Sequence, residues 1–490
     1  MLRLPILRQW AKQPLDRTAL TLMTVLAVLI GLLLWGGDHT VPKVREFSWQ
    51  DQQIGQADIA FTLTFNRPMD WDSVAENLSI DPLLPGKVSW SGRRLAYTLT
   101  EPIPYGELFR VRLSNAQERV FGTTVDPKTV QPFEGTFRSR DRAFAYVGVS
   151  GAEAGRLVLN NLTQDTKVIL TPENLSVLHF QPYPQGNRIL FSATDRNGVD
   201  GVDPRLYIVT TGANLEADSE NESLGRITQV LDNRDYQLLK FDLSADGERI
   251  VIQRADRQLQ GQSSLWQLVR EGRPRPIETE SGGDFLIAPD SQTLVMAQGQ
   301  GLAIIPLAAE TDAQPLDFLP QFGTVLSFRA DGAAAAMVKF NPDFTRSLFL
   351  VTTQGTQTEL LRTEGSILQA AFGSQGKILY GVFTRLLPGE EYREQPYLGA
   401  VDLETQTLHA LLDLPGQPDL TFSLAADGTA LLFDLAIPLA GQQQAPETLT
   451  TERGSAIASS QLWWLPLDES GLTAAQPQRL AAGLNPVWLP

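Results

Sequence analysis

Phe241-Asp-Leu-Ser-Ala-Asp-Gly-Glu-Arg-Ile-Val-Ile252 reads as an apolar strand, a turn and a second apolar strand. The chain writes it again at Phe422-Ser-Leu-Ala-Ala-Asp-Gly-Thr-Ala-Leu-Leu-Phe433 and, shortened, at Phe328-Arg-Ala-Asp-Gly332. Asp-Gly is a hairpin signal because glycine takes the positive φ that a tight turn demands. Degenerate copies stand at Tyr183-Pro-Gln-Gly186, Ala288-Pro-Asp-Ser291 and Gly373-Ser-Gln-Gly376. From Gln185 through Asp246, Asp290, Asp331 and Gln375 to Asp427 the spacings are 61, 44, 41, 44 and 52 residues. Periods in the forties mark a repeat architecture, here the blades of a propeller.

Inner strands are expected to begin near Val177, Leu238, Asp284, Thr324, Leu368 and Leu420, which makes six complete blades. Two fragments remain. The strands at 144–149, 156–159 and 167–170 lack an inner strand, and Asn485-Pro-Val-Trp-Leu489 is an inner strand without a blade. Joined, they form a seventh blade that closes the ring and removes the free sheet edges that invite aggregation. The expectation is an all-β chain whose residues 142–490 form a seven-bladed β-propeller closed by its C-terminal strand.

Composition bounds the chemistry. Of 490 residues 42% are hydrophobic and 20% charged, the balance of a folded protein. There is no cysteine, which excludes disulfides, thiolate metal sites and cysteine nucleophiles. The three histidines, His39, His179 and His409, are scattered, so each reads as a packed or channel-lining residue. Net charge is −16, with the first 17 residues at +3 and the remainder at −19. Such a body repels phosphate backbones, and nucleic acid is not an expected partner.

Ahead of the repeats, residues 1–17 read as a cytoplasmic tail and residues 18–36 as a transmembrane anchor. Thr18 to Trp35 is free of charge and approaches the length that a ~30 Å hydrocarbon core requires. A cleavable signal peptide is the alternative, but the apolar run exceeds a usual h-region and no small-x-small site follows it. Arg3, Arg8, Lys12 and Arg17 precede the run, so the N-terminus is expected in the cytoplasm. The bulk then lies in the periplasm, or in the lumen if the membrane is a thylakoid.

Between residues 41 and 139 the pattern becomes short alternating strands at 59–65, 88–90, 94–99 and 109–113, a β-sandwich of about seven strands. With Phe65-Asn-Arg-Pro-Met-Asp70, Leu78-Ser-Ile-Asp-Pro82 and Pro104-Tyr-Gly-Glu-Leu-Phe-Arg-Val111, the stretch resembles the bacterial Ig-like domains of S-layer and other envelope proteins. That resemblance implies a spacer or adhesion module without catalysis. The Ser/Ala-x-Asp-Gly turns followed by Leu-Tyr or Leu-Trp strands, over about 350 residues, resemble the TolB-like propellers of bacterial envelopes. That resemblance implies a scaffold for protein partners. Related propellers cap serine peptidases, but the chain has no Gly-x-Ser-x-Gly elbow; Gly148-Val-Ser-Gly151 comes nearest, with the wrong spacing.

The long insertions fall between the second and third strands of the blades, at 195–204, 255–262, 340–346, 384–396 and 437–459, and therefore crowd one face. Loops on a rigid scaffold are where binding residues concentrate. In the first of them Asp195, Asn197, Asp200 and Asp203 offer hard oxygen donors of the kind calcium takes, although the spacing departs from an EF-hand loop and an acidic solvated turn is the alternative. In the loop 384–396, Glu390, Glu391, Tyr392 and Arg393 are the candidate partner-binding residues. No catalytic residue and no cofactor other than possible calcium is nominated. The expected function is a membrane-anchored extracytoplasmic scaffold that binds another envelope or membrane protein. The alternative is a receptor for a small ligand or ion, or an enzyme, using the propeller channel mouth.

Overall fold

A computed structural model describes residues 14–35, 40–55, 58–120, 126–196, 203–213, 223–258, 262–270, 272–280, 282–307, 317–389, 392–414, 419–439, 449–451 and 454–490. The fold is all-β, of propeller type, with nine four-stranded sheets among the described residues. A helix runs Pro14–Trp35, with its side chains described from 18 to 31. Among the described residues no helix is long and apolar enough to cross a membrane.

Two of the sheets stack as a sandwich. One orders strands 44–47, 60–65, 94–99 and 86–91; the other orders 53–54, 133–139, 108–113 and 78–81. Ala60–Phe65 alternates half-buried and buried, and Leu108–Leu113 alternates exposed and buried. Their inward sets, Phe61, Leu63 and Phe65 against Phe109, Val111 and Leu113, meet in one core with Phe47, Trp49 and Phe137, as period-two patterning dictates. A short helix at Trp71–Asn77 escapes that pattern. Asp70 caps it by accepting from the Ser73 N–H at 2.9 Å.

The other seven sheets follow one another in chain order. Sheet one holds Ala143–Gly148, Leu157–Asn161 and Thr166–Ile169, and its innermost strand is Gly483–Trp488 from the far end of the chain. Leu484 pairs Val147 and Trp488 pairs Phe144. Sheets two to seven span 175–231, 236–277, 285–319, 324–363, 367–413 and 422–479. Polar side chains tie inner strands of neighbouring sheets together. Gln181 donates to Asp242 at 3.0 Å, Asp242 accepts from the Ile287 N–H at 2.7 Å, and Gln369 accepts from the Phe422 N–H at 3.2 Å. The Trp488 N–H donates to Ser423 at 3.1 Å across the last junction. Asp242 is buried, which pushes its carboxyl up, while the Ile287 N–H and the Gln181 amide pull the other way.

The repeated turns differ from two-residue hairpins. In each, the fourth residue's N–H returns to the first residue's carbonyl, as from Gly247 to Ser244, Gly332 to Arg329 and Gly428 to Ala425, each at 2.8 Å. Only the last residue takes positive φ, +71° at Gly247 and Gly332 and +72° at Gly428. The aspartate before it accepts from the N–H two residues on, Asp246 from Glu248 and Asp331 from Ala333, both at 2.9 Å. A second feature escaped the periodicity. Four inner strands carry a β-bulge at a leucine: Leu178, Leu239, Leu326 and Leu368. Leu178 and Leu239 are exposed.

Candidate functional site

The sandwich occupies one face of the ring. Arg140 donates to the Pro490 carbonyl at 2.7 Å, and Ala426 of a repeated turn packs on the sandwich core. Two clefts of about 730 and 650 Å³ lie along this junction, the first lined by Glu101, Pro104, Lys377, Asp427, Asp468 and Glu469. A smaller cavity of about 340 Å³ sits at the turn-side ends of inner strands, between Phe372, Phe422 and Trp488. Since the repeated turns face the sandwich and the strands are antiparallel, the connections from second to third strand leave on the opposite face.

That opposite face is where sheets five, six and seven expose apolar groups. Phe344 is 90% exposed, Tyr392 67% and Phe340 60%, and Leu386, Leu387, Ile437 and Leu439 join them. The tip at Phe344 is built, not loose. Phe344 lies at φ +65°, its N–H returning to the Asn341 carbonyl at 3.0 Å. Asn341 donates to Thr345 at 3.0 Å and to Ser347 at 2.8 Å. Asp343 accepts from the Thr345 hydroxyl at 2.7 Å and its N–H at 3.2 Å, and pairs with Arg362 at 2.6 Å. The Thr345 donors, with Arg362 beside them, hold the Asp343 carboxyl down at about 2.

Sheet six fixes its own loop through Glu394. The carboxylate accepts from Ser366 at 3.0 Å, from Thr384 at 2.7 Å and from the Tyr392 hydroxyl. Burial would raise Glu394, but these three hydroxyls and nearby Arg346 outweigh it and lower the carboxyl. The Glu394 bond in turn raises Tyr392. Arg346 of sheet five donates to the Gly365 carbonyl at 2.8 Å, so the polar seam joins sheets five and six. The face is therefore apolar at its tips and charge-paired beneath them.

Of the nominated residues, Tyr392 stands on this face, the Arg393 carbonyl accepts from the Leu387 N–H at 2.8 Å, and Glu390 and Glu391 lie outside the described residues. Sequence reading missed Phe340 and Phe344; an apolar residue in a short connection between two strands was the available signal. In the loop nominated for calcium, Asp195 ends a strand, Asp203 pairs with Arg257 at 2.5 Å, and Asn197 and Asp200 lie outside the described residues. Among the described residues no three His, Cys, Asp or Glu side chains gather as a metal site. His179 packs on Phe241 with ring centroids 5.0 Å apart, and His409 shares a 3.1 Å hydrogen bond with Thr407.

No protein-family model matches the chain, and no curated protein matches it. Among solved structures it is similar to TolB from Acinetobacter baumannii at 11% identity, over 70% of this chain and 82% of that one, with a TM-score of 0.39. It is also similar to the periplasmic gluconolactonase PpgL of Pseudomonas aeruginosa at 14% identity, over 71% and 99%, with a TM-score of 0.44. A third similarity is to an oligogalacturonate lyase from Vibrio parahaemolyticus at 11% identity, over 60% and 93%, with a TM-score of 0.37.

Proposed function

We propose that the chain is a membrane-anchored, extracytoplasmic scaffold in which a seven-bladed propeller, carried on an Ig-like spacer, binds another envelope or membrane protein through the face opposite the spacer. The observation that carries this reading is the Phe344 loop, where seven heteroatom contacts and a strained backbone serve to hold one phenylalanine out in solvent. Phe344, Phe340 and Tyr392 together present roughly 400 Å² at ~200 Å² per whole ring. A patch of that size is in the range that marks interaction sites on soluble proteins, and rigid aromatic anchors are what interface hot spots use.

The spacer reading has its own support. Val44 pairs with Phe65 at one end of the sandwich, whereas Pro102 and Pro104 at the other end line the cleft against the ring. The chain thus enters the sandwich at the end remote from the propeller. A six-residue strand covers about 20 Å, so the docking face stands well clear of the anchor. No catalysis is part of this proposal. Calcium at Asp195, Asn197, Asp200 and Asp203 is kept as a secondary proposal, and binding there must compete with the Arg257 ion pair. A calcium titration that leaves the melting temperature of chelator-stripped protein unchanged removes it.

The test of the scaffold is photo-crosslinking from a probe at position 340 in the native membrane, beside a Phe344→Asp, Tyr392→Asp variant carrying the same probe. One discrete adduct, identified by mass spectrometry and lost in the variant, is the expected result. Identical adduct patterns in both proteins refute the docking face and direct attention to ligands at the channel mouth.

A further inference from the structure

A second feature of the same face lies in sheet three and is independent of the Phe344 patch. Arg254 is 8% exposed. Its guanidinium carbon lies 4.1 Å from the centroid of Tyr236 and 3.9 Å from that of Trp266, in the angle between two rings that touch each other with centroids 5.6 Å apart and planes inclined by 59°. The register accounts for the cage: Arg254 stands opposite Leu238 on one neighbouring strand and Ser264 on the other, which sets Tyr236 and Trp266 two residues along on either side. The Trp266 indole is itself held, donating to the Ser264 hydroxyl at 2.9 Å.

What the guanidinium lacks is a carboxylate in direct contact. Its Nε is buried without a hydrogen-bond partner, and among the described residues no ion pair engages its terminal nitrogens. Other arginines of this molecule behave differently: Arg142, Arg257, Arg362 and Arg385 each hold a carboxylate at 2.5–2.6 Å. The nearby Asp232 is already paired with Arg234 at 2.6 Å. A buried, unpaired charge is costly, and burial duly pushes this arginine below its usual range. Two aromatic faces offset part of that cost, as do the nearby charges of Asp232 and Asp235.

We propose that Arg254, packed in the angle between Tyr236 and Trp266, is the anchor of a carboxylate-binding site on the face opposite the sandwich. The terminal nitrogens of a guanidinium are parallel N–H donors in one plane, the geometry that carboxylates accept bidentately. The surroundings select a singly charged ligand. The chain carries −16 overall, and Asp232 and Asp235 lie close enough to stabilise the cation, so a dianionic phosphate meets more repulsion than a carboxylate. The carboxylate belongs either to a free small acid or to an acidic side chain of a protein, and the two sources are separable by experiment.

The whole protein, labelled with ¹⁵N, would be titrated at constant ionic strength with sodium acetate, then with a blocked Gly-Glu-Gly peptide, then with inorganic phosphate, following the Arg254 Nε–H resonance and Trp266 fluorescence. Saturable shifts with acetate or peptide, weakened about tenfold or more by Arg254→Lys, which keeps the charge and loses the fork, are the expected result. Peptide binding tighter than acetate binding identifies a protein side chain as the source; the reverse identifies a small acid. Trp266→Phe, which removes part of the aromatic surface and keeps the arginine, should weaken binding severalfold and guards against a misfolded Arg254→Lys. Shifts that rise linearly without saturation, equal shifts in Arg254→Lys, or preference for phosphate overturn the proposal.

Discussion

Asp343 shows how much one carboxylate organises when its neighbours donate to it. Its carboxyl sits at about 2 in the folded protein against 3.8 as a free side chain. A depressed folded value means that the contribution is fully present above the free value and is lost as pH falls through the folded one. The Phe344 loop should therefore stay ordered at neutral pH and loosen between about pH 4 and pH 2, with amide exchange at Phe344 and Thr345 as the readout. Asp343→Asn should shift that loosening to neutral pH without unfolding the ring. Asp427 belongs to a different class, since its side chain is buried against Arg142 at the sandwich junction. Asp427→Ala leaves Arg142 partly buried without its partner, and a loss of about 2–3 kcal/mol in denaturant unfolding is expected.

Among elements, the four-residue turns repay attention because each serves its own hairpin and the neighbouring sheet. A Cβ at Gly247 would lie 3.1 Å from Pro184 and 3.2 Å from Tyr183 of the preceding turn, at a φ that disfavours any side chain. Gly247→Ala should therefore cost about 1–2 kcal/mol, whereas Gly299→Ala, with open space around it but φ of +54°, should cost only the conformational part. Comparing the two by chemical denaturation separates backbone strain from contact between turns. The aspartates of these turns were legible as hairpin residues. Their bond to the N–H two residues on was not, because the same Asp-Gly pair also suits a shorter turn, and only the pairing of Ser244 with Arg249 decides the loop length. The inner-strand bulges were hidden for a related reason, since one unpaired residue leaves the local composition unchanged.

For the whole molecule, the junction of the two chain ends matters most. Trp488 packs edge-on to Phe144 and to Trp464, with centroids 5.7 and 5.6 Å apart, and Leu484 of the same strand is buried in a separate cluster with Ala145 and Val147. A chain truncated before residue 483 leaves the strand 143–148 with an unpaired edge, and unpaired edges associate. Such a protein should lose its single cooperative transition and aggregate on gel filtration, while Trp488→Ala alone should cost about 3–5 kcal/mol.

The sequence by itself determined the strands, because period-two burial and turn chemistry are local properties, and it determined the repeat, because the turns recur in the forties. It also placed the long connections on one face, since that follows from counting antiparallel strands. It did not single out Phe344 or the Arg254 cage. Exposure at Phe344 depends on side chains from Asn341 to Arg362 closing around a loop, and the cage depends on register between three strands. Which side of the ring the sandwich covers was likewise decided by tertiary packing, through Arg140 and Ala426 meeting residues hundreds of positions away, contacts for which no local pattern exists.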